Sequence, residues 1–173
     1  MLDAAAQEPA HEHGVLHLDV AVEGKGYTVA LESPLDNLLG FEHAPRDATQ
    51  EESVRGMASR LRAADAIFVA NRAAGCKLLS VRLESAALPS VLLGGGPGSA
   101  PAKDASQTEA APVGHADLDG AFSFACGNPA ALNAIDVMLF DAFARIRRIE
   151  VQLVTPKGQG KRTLTAEARR IVW

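Results

Sequence analysis

The chain has 173 residues, is 47% hydrophobic and 22% charged, and carries a formal net charge of −4. That balance is globular and excludes wholesale disorder and any fibrous class. The acidic sign argues against a nucleic-acid-binding face or a basic membrane-surface patch, and no apolar run reaches the ~18 residues of a spanning helix.

Residues 1–12 are polar and Ala/Glu-rich, which predicts a loose N-terminal arm ahead of a single domain over 13–173. The opening Met1-Leu2-Asp3-Ala4 lacks the positive and apolar regions of a signal peptide, but small residues before a polar stretch resemble a freshly exposed mature N-terminus. From Val15 the pattern alternates. Leu16, Leu18, Val20 and Val22 fall on one face, and Val15, His17, Asp19 and Ala21 on the other. Glu23-Gly24-Lys25-Gly26 is a turn signal, and Tyr27, Val29 and Leu31 resume the alternation, so a hairpin is predicted. Ser33-Pro34 ends it, and 34–48 reads as loop with one helical turn.

Thr49 and Glu52 form a capping-box pattern, followed at helical spacing by Val54, Met57, Ala58, Leu61, Ala64 and Phe68. This predicts a helix over 50–65. A strand is predicted over 77–88 with Leu79, Val81 and Leu83 inward. Residues 89–114, containing Gly94-Gly95-Gly96-Pro97-Gly98, read as a flexible central insertion. Residues 115–126 alternate again, with Leu118, Phe122, Phe124 and Cys126 opposite His115, Asp117, Asp119 and Ser123. Asn128, with Pro129 next to it, predicts a second helix over 128–143 with Leu132, Ile135, Leu139 and Phe143 as its stripe. Strands over 149–154 and 163–172 close the chain. The expected fold is α+β, an antiparallel sheet of about six strands with two main helices packed on it.

The residues show no HExxH, GxSxG, CxxC or GxxxxGK[ST] pattern, and the chain is not expected to be an enzyme. Cys76 and Cys126 are either two buried thiols or one bridge. Five histidines carry more information: His11, His13, His17, His43 and His115. In an extended segment His11 and His13 point the same way with Cα atoms roughly 6.6 Å apart, close enough to share an ion. His17 lies roughly 13 Å beyond His13 and suits a neighbouring or second site. His115 and Asp117 repeat the i, i+2 spacing, and Glu42 and His43 are adjacent in a loop. Neutral imidazole and carboxylate suit Zn²⁺, and Cu²⁺ or Ni²⁺ bind the same groups. If the strands starting near His13 and His115 lie side by side, their outer faces bring His and Asp together. Without that placement, a polar-face histidine is an ordinary solvated residue.

His11-Glu12-His13-Gly14 before an alternating strand, Leu31-Glu32-Ser33-Pro34, and Gly40-Phe41-Glu42-His43-Ala44-Pro45 together resemble the ZrgA-like family. These are small bacterial periplasmic proteins linked to zinc-uptake operons. Ala74-Gly75-Cys76, His115-Ala116-Asp117, Phe122-Ser123-Phe124-Ala125-Cys126 and Leu139-Phe140 extend the resemblance over residues 11–173. It implies periplasmic location after removal of a signal peptide, a Cys76–Cys126 disulfide, and zinc binding in support of metal uptake. The positions that match are His11, His13, Glu42, His43 and His115. One departure is that residues 89–114, His-rich in many relatives, hold no histidine here and only Asp104 and Glu109 as acids. The partner implied is a metal ion; a membrane transporter component is the partner that a docking role would call for. Oligomeric state is open. The competing reading is a docking module for such a transporter that takes no metal.

Overall fold

The computed structural model describes residues 12–94 and 116–173. The expected hairpin forms as β1 (Val15–Glu23) and β2 (Gly26–Pro34), in register from His17↔Glu32 to Glu23↔Gly26. Its two-residue turn is Gly24-Lys25, and Gly24 sits at φ 58°, a left-handed conformation that suits glycine. A single short helix, α1 (Leu35–Leu39), follows within the predicted loop. The main helix, α2 (Ala48–Arg62), begins earlier than predicted. Its cap is Asp47, which accepts from the Gln50 N–H at 2.8 Å while Gln50 Oε1 accepts from the Arg46 N–H at 2.8 Å. The two-way capping the sequence suggested at Thr49 and Glu52 is thus built around Asp47 and Gln50.

The remaining elements are β3 (Phe68–Ala70), β4 (Cys76–Glu84), β5 (Asp117–Cys126), β6 (Ala134–Val137), α3 (Leu139–Ala142), β7 (Arg148–Thr155), β8 (Gly158–Leu164) and β9 (Arg170–Val172). A six-stranded sheet runs β4-β5-β2-β1-β7-β8, and a three-stranded one runs β3-β6-β9. The class is α+β as expected, but the larger sheet is mixed. β7 lies parallel to β1, pairing Leu16↔Ile149 through Val20↔Leu153, while its other neighbours are antiparallel.

The predicted second helix over 128–143 is instead a 3-10 turn at Pro129–Ala131, then β6, then the four-residue α3. Asn71 explains the break. Its Oδ1 accepts from the Asn133 and Ala134 N–H groups at 3.0 and 3.2 Å, and its Nδ2 donates to the Ala131 carbonyl at 2.9 Å. Those backbone groups are withdrawn from a helical ladder. β-Branched Ile135 and Val137 then pair in strand geometry with β3 and β9. Leu132, Ile135, Leu139 and Phe143 are buried nonetheless, so the apolar spacing reported burial and not helix.

Two other expectations shift. A register irregularity between Leu78 and Ser80 turns Leu79 out to 68% exposure, while Leu83 is buried and Leu78 and Val81 pack on the core. Residues 89–94 are not part of a loose insertion, because Leu92 and Leu93 are buried and Arg62 Nε donates to the Leu93 carbonyl at 2.8 Å. Residues 1–11 and 95–115 lie outside the described residues, and with them His11, His115 and most of the predicted arm and insertion.

One face of the six-stranded sheet, α2 and the smaller sheet share one hydrophobic core. Tyr27 stacks on Phe124 at 4.4 Å, Phe68 packs on Phe122 at 5.0 Å, and the Tyr27 hydroxyl donates to the Phe68 carbonyl at 2.8 Å. Cys76 and Cys126 are paired in register at the start of β4 and the end of β5 and form a disulfide.

Candidate functional site

Alternation places every second residue of the larger sheet on its open face, and the register decides which of them become neighbours. One cross-strand row reads Glu84 (β4), Asp119 (β5), Glu32 (β2), His17 (β1) and Glu150 (β7). Adjacent positions in such a row are about 5 Å apart at the backbone. His17, Asp19, Glu32, Arg82, Glu84 and Asp119 line a shallow cleft of about 220 Å³.

Like charges directly opposite one another destabilise a strand pair, so this row needs compensation. It has some at its ends. Arg82 Nε stands 3.7 Å from Glu84, Arg148 Nε stands 2.9 Å from Glu150, and Thr163 Oγ1 donates to Glu150 at 3.1 Å. The middle is different. Partial desolvation, followed by the carboxylates of Glu32, Asp117 and Glu84, pushes the Asp119 pKa upward. Asp119 and Glu32 therefore make a concentrated negative pair with the imidazole of His17 as the next group in the row.

Of the histidines read from the sequence, His13 precedes β1 and its Nδ1 lies 3.4 Å from Asp36 Oδ2 of α1. His17 is exposed on β1, within the row. His43 stacks on Phe41 at 5.0 Å and its Nδ1 donates to the Ala44 carbonyl at 2.8 Å. Asp117 starts β5 opposite Pro34, at the sheet end where α1 begins. Glu42 is half-buried in the loop after α1. Among the described residues, no three His, Cys, Asp or Glu side chains are arranged to hold a metal ion. The strands bearing His17 and Asp117 are not adjacent as imagined, because β2 lies between them and contributes Glu32.

Glu32, Glu84, Asp36 and Asp119 are not among the metal donors that the sequence singles out. Parity alone puts Glu32 and Asp119 on outer faces, but only the β5-β2-β1 order puts them side by side, and that order is a non-local property.

The donors present, imidazole and carboxylate, are those that suit Zn²⁺. A comparison with curated proteins finds no match. A family model described as ZrgA family zinc uptake protein matches residues 10–173.

Proposed function

Because the chain belongs to the ZrgA family of zinc uptake proteins, we propose that it is a periplasmic zinc-binding protein that captures the metal or hands it on, without catalysis. Zinc is here the cargo. The observation that carries the reading is the family match over residues 10–173; the Asp119–Glu32 pair, with His17 next in its row, supplies donors of the types zinc takes, although they are not gathered around one ion. A divalent cation there would relieve the repulsion within the pair and use the side-chain types that zinc prefers. The Cys76–Cys126 disulfide supports a location outside the reducing cytoplasm. His13, His43, Glu42 and Asp117, together with His11 and His115, are further donors for the same cargo. Cu²⁺ and Ni²⁺ are the natural competitors for this donor set.

The test is calorimetric titration of zinc into metal-stripped protein near neutral pH, with copper and nickel as competitors. Wild type should bind zinc, and binding should weaken on acidification because imidazole must be neutral to ligate. The double variant Glu32→Gln/Asp119→Asn should lose at least about tenfold in affinity, or about 1.4 kcal/mol, with its circular dichroism spectrum unchanged. Wild-type affinity in that folded variant would take the cargo away from this face. No heat at all in wild type would leave the metal-free docking module.

A further inference from the structure

We propose that α2 carries a self-complementary contact through which two copies of the chain pair about a two-fold axis centred on Gly56. Gly56 stands in the middle of this 15-residue helix and is exposed. Glycine inside a helix is less stable than alanine would be. Nothing within the chain requires it here. Its φ is not positive, and a Cβ at this position would meet no atom within 4 Å.

The charges around Gly56 are placed symmetrically. Glu52 lies four residues before it and Arg60 four residues after, so the three form one i, i+4, i+8 row on the same side of the helix. The charged positions sit about 6 Å along the axis on either side of the glycine. Rows of this kind are the ridges that align when two helices pack at their commonest crossing angle, about −50°. When two copies of α2 meet antiparallel with Gly56 at the crossing, the two-fold operation sets Glu52 of each copy against Arg60 of the other. Both ion pairs then form at once, as an isologous contact demands. The missing side chain at Gly56 lets the helix axes approach toward the short end of the usual range of about 8–10 Å.

The surroundings suit such a contact. Between α1 and α2 runs an open groove of about 370 Å³ whose lining includes Leu38, Leu39, Ser53 and Gly56 together with Glu52 and Arg60. Leu39 is half-buried and adds apolar surface. Glu51, one residue away, is paired with Arg55 at 3.0 Å, whereas Glu52 and Arg60 are exposed and have no ion-pair partner among the described residues. Arg60 Nη1 donates to the Ala142 carbonyl at 3.3 Å, which steadies the guanidinium and leaves its other N–H groups available. α2 packs on the inner side of the larger sheet, so the contact is remote from the acidic row and does not depend on the zinc reading. One helix pair buries little against the roughly 1,200 Å² of a standard interface, and the pairing expected is weak and reversible.

The test is sedimentation equilibrium of the full chain with a chelator present, so that no metal bridges molecules. Wild type should pass from monomer toward dimer as its concentration rises from about 10 μM to about 1 mM. Glu52→Arg sets arginine against arginine, and Arg60→Glu sets glutamate against glutamate, so each alone should dimerise about tenfold or more weakly. Mixed in equal amounts, the two variants should pair with each other at wild-type strength, because both contacts across the axis are again opposite in sign. Gly56→Leu should keep its circular dichroism spectrum, melt no lower than wild type and lose the dimer. A mixture no more associated than its two components overturns the proposal. So does a wild type that stays monomeric throughout, a Gly56→Leu variant that dimerises normally, or a dimer that both charge variants leave intact.

Discussion

The two faces of the β4-β5-β2-β1-β7-β8 sheet are made by alternate residues of the same strands, yet they obey opposite rules. Inward, Leu18, Leu31, Leu118 and Val151 are each at most 2% exposed and belong to the hydrophobic core. Outward, one residue along each strand, the same register lines up His17, Glu32, Asp119 and Glu84. The inner face lowers the free energy of the fold through buried area. Within the outer row the middle carboxylates raise it, since every charged neighbour found to act on Asp119 is another acid. A row of acids kept against that cost is understandable if its stabilising partner comes from solution.

The largest expected effect would test whether the two faces are independent. Phe122 is 1% exposed and packs against Phe68, so Phe122→Ala should cost about 3–5 kcal/mol in urea unfolding. Its folded fraction should still bind zinc with wild-type affinity. A loss of binding in molecules that remain folded would show that the core face governs the outer one.

A smaller effect would sharpen the contrast. The Asp119 pKa is raised in the folded state, so the native state holds its proton more tightly than the unfolded chain. The stabilisation from that proton is complete below the unfolded pKa of about 3.9 and is lost as pH rises through the folded value. Asp119→Asn should therefore make the metal-free protein about 0.5 kcal/mol more stable at neutral pH, a shift of roughly 1–2 °C in Tm. The advantage should vanish below about pH 4. An equal gain at both pH values would point to packing and not charge.

The smallest effect concerns the irregularity in β4. Leu79 is 68% exposed, so Leu79→Ser should change stability by no more than about 0.5 kcal/mol. Leu83→Ser, on the inner side, should cost several times as much.

These contrasts also mark what could be read in advance. The β1–β2 hairpin and the buried face of β5 were legible because alternation and a glycine turn are local signals that agree. The body of α2 was legible for the same reason at helical period. Residues 128–143 misled because Leu132, Ile135, Leu139 and Phe143 have a spacing compatible with a helix, while the decisive partner, Asn71, lies about sixty residues away in the chain, bonding across |i−j| of 60 to 63. Leu79 misled because one irregular residue inverts the parity on which the inward reading depended. The parallel pairing of β7 with β1 left no mark in either strand's own pattern. At the candidate site, His13, His17, Glu42, His43 and Asp117 were visible as residue types. Their true neighbours, Asp36 for His13 and Glu32 for His17, appear only once α1 and the strand order are known.

The covalent link between Cys76 and Cys126 spans 50 residues of sequence, and just inside it β4 and β5 are zipped together. A protease that severs the chain between these two cysteines therefore produces no free fragment. The nicked protein would migrate at full length on a gel without reductant and as two pieces with it. The same closure makes the enclosed stretch a natural place for grafting, since doubling the length of such a segment adds only about 0.6 kcal/mol of closure entropy. A histidine-bearing sequence of arbitrary length could be inserted there with its ends already held together.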